Sequence, residues 1–176
     1  MPHRKETLRL IARLVDRSQA RSAAPLGELF ARLARARAED EAIAVEECIW
    51  VRWMSHPNAE AEAVLDRATS DIAAQRYDIA ETRLTRLVRS RPDFAEAWHK
   101  LGALLCMLGR DEESLLGLHR SLELEPRHFA ALGAVGEVLY AGNDREGAAL
   151  AYHAALRLHP HMSAARARLE EIRRGA

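Results

Sequence analysis

Between residues 61 and 162 the apolar positions fall at helical steps. Trp98, Leu101, Leu104, Leu105 and Leu108 recur at i, i+3 and i+4, which places them on one face of a helix. Gly109 offers a left-handed stop, and Asp111 can cap the element that follows. A second stripe runs through Leu115, Leu118 and Leu122. Pro126 ends it, because proline cannot continue a helix and disfavours helix in the residue before it. The pattern predicts a helix, a tight turn, a second helix and a proline-marked turn.

The same pattern recurs every 34 residues: Pro92, Pro126 and Pro160 keep that interval, as do Ala68, Gly102 and Gly136. So do Ala80, Ser114 and Ala148; Leu84, Leu118 and Tyr152; and Val88, Leu122 and Leu156. The predicted units are 61–94, 95–128 and 129–162. The small residues let the two helices of a unit approach closely. One helical hairpin cannot bury both its faces, so the units must stack, and about three are the usual minimum for stability.

The flanks carry weaker patterns. Pro25 can open a helix striped by Leu26, Leu29, Phe30 and Leu33, and the chain turns near Glu39–Glu41. A second helix with Ile43, Val45, Ile49, Trp50 and Trp53 runs to about Met54. This hairpin, 25–57, reads as a degenerate repeat that shields the open face of the first unit, with both tryptophans packed there or forming an aromatic patch for a partner. Residues 163–176 read as a helix that caps the array, Leu169 and Ile172 facing inward. In segment 1–24, Arg9, Arg13, Arg17 and Arg21 form one basic stripe beside Leu8, Ile11 and Val15. Such a helix suits an acidic partner or an anionic membrane surface, or docks on the chain's own more acidic repeats.

Composition narrows the function classes. Lys and Arg total 26 against 26 Asp and Glu, which argues against a strongly basic nucleic-acid binder. The imbalance is local: residues 1–38 hold nine basic residues and three acidic ones. Two cysteines exclude a disulfide scaffold. No apolar run reaches the roughly 18 residues of a spanning helix, and charges interrupt the N-terminal segment where a secretory signal would need its apolar stretch, so the chain reads as cytoplasmic.

The 34-residue unit resembles the tetratricopeptide repeat (TPR) family, whose pattern is W-x2-L-G-x2-Y, then A-x3-F, then A and P. The second unit supplies Trp98, Leu101, Gly102, Leu105, Ser114, Leu118, Ser121 and Pro126. The third supplies Leu132, Val135, Gly136, Leu139, Ala148, Tyr152, Ala155 and Pro160. The first departs from the pattern at Arg67 and Asp71, whose spacing allows them to pair. The resemblance implies an all-α, right-handed superhelical array of three repeats, with the N-terminal hairpin and the C-terminal capping helix at its ends.

It also implies a concave groove lined by the first helix of each unit, where an extended or helical peptide is held. The matching positions are Leu65, Thr69 and Ile72; His99, Ala103, Cys106 and Met107; and Gly133, Glu137 and Tyr140. A basic clamp on a C-terminal carboxylate, the best-known mode of the family's heat-shock co-chaperones, is not expected. Its positions hold Leu65, Thr69, Gly133 and Glu137, and only Lys100 fits. The expected partner is therefore a protein that offers an amphipathic helix or an apolar peptide.

No nucleotide-binding or metalloprotease motif is present, and no Cys or carboxylate stands at diagnostic ligand spacing beside His128, His153, His159 or His161. No metal or other cofactor is expected. Cys106 lies two helical turns from His99, but a buried structural cysteine is the default reading, and catalysis is not expected. The arginines 83, 86, 89 and 91 lack interleaved aromatics, so RNA binding is the weaker alternative. The other alternative is self-association or autoinhibition, with the basic helix docked in a groove.

Overall fold

The computed structural model describes residues 2–17 and 25–175. Helix α1 (Pro2–Arg17) is followed by α2 (Pro25–Arg35) and α3 (Glu39–Met54), which form a hairpin. Three helix pairs come next: α4 (Ala59–Ala73) with α5 (Tyr77–Ser90), α6 (Ala95–Met107) with α7 (Asp111–Leu124), and α8 (Phe129–Ala141) with α9 (Arg145–Leu158). Helix α10 (Ser163–Arg174) closes the chain. No strand occurs among the described residues.

The 34-residue interval is written into the backbone itself. Gln75, Gly109 and Asn143 stand 34 apart, and all three are left-handed, with φ of 58°, 71° and 57°. Each lets the next amide reach back five residues: Arg76 N–H donates to Asp71 O, Arg110 N–H to Leu105 O, and Asp144 N–H to Leu139 O. The turn within every unit is thus the same hydrogen-bonded reversal, and glycine takes the strained position in only one of them.

Close approach between paired helices depends on the small columns. A Cβ built on Gly102 would stand 2.8 Å from Leu118 Cγ, and one on Gly136 would stand 2.4 Å from Tyr152 Cε1. Ser114 turns its hydroxyl onto Gly102 O at 2.7 Å, which satisfies a buried donor inside the contact. The first helices touch in succession, α4 on α6 and α6 on α8, and line the concave side.

Helix α1 is docked on the chain's own second helices, α7 and α9, away from the groove. Leu10 and Ile11 are buried among Leu115, Leu118, Leu122 and Tyr152. Arg4 Nε donates to Asp144 Oδ2 at 2.8 Å, and Asp144 also caps α9 by accepting from Gly147 N–H. Arg9 and Arg13 face solvent, and the contact is made by the apolar stripe. The side chain of Arg17, and Arg21 altogether, lie outside the described residues.

Two sequence expectations change. Asp71 does not pair with Arg67. It is buried, and it accepts from Arg76 Nη2 and Arg83 Nε at 2.7 Å each. The Arg76 hydrogen bond, outweighing burial and helped by Arg83, holds its carboxyl below the usual range. Nor is the hairpin α2–α3 seated over the first unit. It packs mainly on the second and third helix pairs, with α3 on α6 and α2 on α9, while Met54 reaches the core of the first unit. The reason is the aromatic cluster described next.

Candidate functional site: a concave strip and a buried triad

Glu96 lies in the first turn of α6, three residues before His99 and four before Lys100, so all three share one helix face. His128 is the residue before α8, and its Nδ1 accepts from Ala131 N–H at 3.2 Å, capping that helix. That bond fixes the tautomer: Nε2 carries the proton and donates to Glu96 Oε2 at 2.7 Å. His99 Nδ1 lies 3.2 Å and Lys100 Nζ 3.3 Å from Glu96 Oε1. The Glu96 and His128 side chains are both 0% exposed.

Burial alone would raise the Glu96 pKa. The His99 charge and the hydrogen bonds from His128 and His99 outweigh it and hold the carboxyl well below the carboxylate range. For His128, burial and the neighbouring His99 prevail over Glu96 and bring the imidazole down to about 4. The triad therefore pairs a buried carboxylate with a neutral, doubly bonded imidazole.

Glu96, His99 and His128 place ligand atoms within 4.8 Å of one another. This convergence corrects the reading that no carboxylate stands beside His128, because Glu96 arrives from 32 residues away. A cation there would have to take Nε2 of His128 from Glu96. It would also turn Nδ1 into a donor facing the Ala131 amide, and it would meet the Lys100 ammonium. These contacts describe a hydrogen-bond network that ties α6 to α8.

Over this network lies α3. Trp53 is 7% exposed, and its ring stacks on His128 with centroids 4.0 Å apart and planes at 15°. Phe129 meets Trp53 at 4.9 Å and Phe30 of α2 at 6.3 Å. Trp50 stands edge-on to Trp53 and faces His99, with Lys100 Nζ 5.0 Å from its ring. Glu46 accepts from Trp50 Nε1 and contacts His159 Nε2, both at 3.0 Å. His161 reaches Ala36 O at 3.0 Å. The tryptophans are packed, but against the second and third helix pairs.

The sequence-derived groove positions divide into three groups. Leu65 is core, and His99 belongs to the buried triad. Glu137 and Tyr140 are engaged by α10: Arg168 binds Glu137 Oε2 at 3.0 Å and lies 4.9 Å from the Tyr140 ring, and Gly133 faces Met162. Ile72, Thr69, Ala103, Cys106 and Met107 remain as a strip on α4 and α6. Met107 is 60% exposed there, and the buried Thr69 hydroxyl has no hydrogen-bond partner among the described residues. Burial, followed by the charges of Asp111 and Glu137, pushes the Cys106 thiol up, the opposite of what a nucleophile needs. Glu96 and Phe129 escaped the sequence reading, and His159 was weighed there only as a metal ligand. The one available signal was the i, i+3, i+4 run of Glu96, His99 and Lys100.

No family model matches the chain. A curated TPR repeat-containing protein of Rhizobium etli is 30% identical over 121 residues, 68% of this chain. The chain spans 59% of that relative's length. Among solved structures, the first TPR of Spaghetti (RPAP3) bound to an HSP90 peptide superposes with a TM-score of 0.63 at 17% identity, covering 65% of this chain and 91% of the other. An O-GlcNAc transferase of Thermobaculum terrenum aligns with a TM-score of 0.62 at 26% identity, over 67% of this chain and 23% of the enzyme. The repeat register, the paired helices and these likenesses make the chain a member of the tetratricopeptide-repeat proteins. No helix among the described residues is long and apolar enough to cross a membrane.

Proposed function

We propose that the chain is a non-catalytic interaction adaptor that holds a partner's peptide or amphipathic helix in its concave groove. The observation that carries this reading is the strip Thr69–Ile72–Ala103–Met107, which holds an exposed thioether and a buried hydroxyl with no partner among the described residues. Methionine is unbranched and adapts to varied apolar ligands. The RPAP3 neighbour holds an HSP90 peptide, which supports the mode of binding. Its ligand class is not carried over, because Leu65, Thr69 and Gly133 supply no cation for a terminal carboxylate, Glu137 is taken up by Arg168, and Lys100 is held by Glu96.

The test is a double variant, Ile72→Glu with Met107→Glu, compared with the parent in affinity capture read by mass spectrometry. A micromolar ligand, about −8 kcal/mol, is expected to be retained by the parent and lost by the variant, with matching melting curves. Equal recovery from both proteins would remove the function from this strip.

A further inference from the structure

The strip on α4 and α6 is apolar in its floor and acidic at its borders. Asp66 and Lys100 stand 34 apart and hold the same position in their units, one turn before Thr69 and Ala103 on the concave side. Of the two, only the aspartate is available: it is exposed and enters no ion pair among the described residues. Lys100 is 22% exposed, lies 3.3 Å from Glu96 Oε1 and sits over the Trp50 ring. On the side of the third pair, Arg168 is shared by two carboxylates, Glu137 Oε2 at 3.0 Å and Glu171 Oε2 at 2.9 Å, so that cluster keeps an excess of negative charge. Asp111 opens α7 after the turn that follows Met107, and like Asp66 it enters no ion pair among the described residues. The charges of Asp111 and Glu137 reach the strip itself, where after burial they push the Cys106 thiol up further.

The cations of this surface are therefore already matched, and carboxylates are left over around an apolar floor. Complementary charge steers the right partner in, and like charge turns the wrong one away. A helix laid on such a floor needs an apolar face for Ile72 and Met107 and positive charge at its flanks. We infer that the strip takes a cationic amphipathic helix of a partner protein, with Lys or Arg side chains directed to Asp66 on one side and to Asp111 and Glu137 on the other. This rests on the groove-binding reading above and names the class of ligand.

Two fluorescein-labelled helical peptides of about 18 residues decide it. They share one leucine face and carry either lysine or glutamate at every polar position, and each is titrated against the full chain by fluorescence anisotropy. The lysine peptide should bind about tenfold or more tightly than the glutamate peptide, and its advantage should shrink as salt rises. Asp66→Lys with Asp111→Asn, checked for a melting curve like the parent's, should cancel the advantage. Ile72→Ser with Met107→Ser should weaken the lysine peptide about tenfold, because the floor supplies the apolar contact. Glu39→Lys with Glu41→Lys, which reverses exposed acids of α3 outside the strip, should change nothing, and a lysine peptide of the same composition with its leucines scattered should not bind. Equal affinity for the two signs of charge overturns the inference, as does a loss caused by the α3 variant and not by the strip variants. If neither peptide binds while capture still depends on Ile72 and Met107, the inference falls and the groove reading survives. If capture is independent of them as well, both fall.

Discussion

Replacing Gly136 by leucine is expected to unfold the third helix pair, and with it the array, at a cost of about 3 kcal/mol or more. The ring of Tyr152 is what the new side chain meets. Even alanine would put its Cβ 2.4 Å from Cε1, 2.7 Å from Cδ1 and 2.8 Å from Cζ. That ring is 1% exposed, and its hydroxyl is held by Glu137 Oε1 at 2.8 Å, so it cannot swing away cheaply. Alanine gains about 1 kcal/mol of helix propensity over glycine, which is less than the overpacking term, so Gly136→Ala should also destabilise. Urea unfolding followed by circular dichroism gives the midpoints. Tyr152→Leu in the Gly136→Ala background should restore part of the loss. An unchanged midpoint for Gly136→Ala would show that the helices are free to separate.

Glu96→Ala is expected to cost about 3–5 kcal/mol, because it leaves buried donors without their acceptor. The same network should make the protein acid-labile from an unusually high pH. His128 falls to about 4 in the folded chain, against about 6.5 unfolded. The unfolded chain therefore binds more protons between those values. Stability is complete above about pH 6.5 and is lost as pH falls toward 4, by about 3 kcal/mol from this group. The depressed carboxyl of Glu96 has the same sign and extends the loss below its ordinary value. His128→Asn, which can still cap α8, should flatten the dependence between pH 6.5 and 4. A parent whose stability is level across that window would contradict the burial argument.

The array was readable from sequence because its contacts are short in sequence and repeated. The 34-residue columns encode small-against-large pairs such as Gly102 with Leu118 and Gly136 with Tyr152, and the turn residues follow the same interval. Helices α2 and α3 were readable too, since amphipathic spacing needs no knowledge of the partner surface. Their seat was not. Helical spacing says that a face is buried but not against what, and Trp53 meets His128 across 75 residues with no periodic signal to mark the pair. The candidate groove fared unevenly for the same reason. Met107 is exposed and Ile72 half-buried, while Glu137 and Tyr140 are taken up by Arg168 of the helix that follows the array.

The position of α1 bears on how the chain is made. Ordinary repeat arrays form from neighbouring units and can start anywhere. Here the Arg4–Asp144 contact joins residues 140 apart, and Leu10 and Ile11 enter a core completed by α9. On a ribosome adding roughly 5–20 residues per second, α1 waits roughly 7–28 s for α9 to complete its binding surface. Its leucines are exposed throughout that interval, available to a chaperone or to another nascent copy.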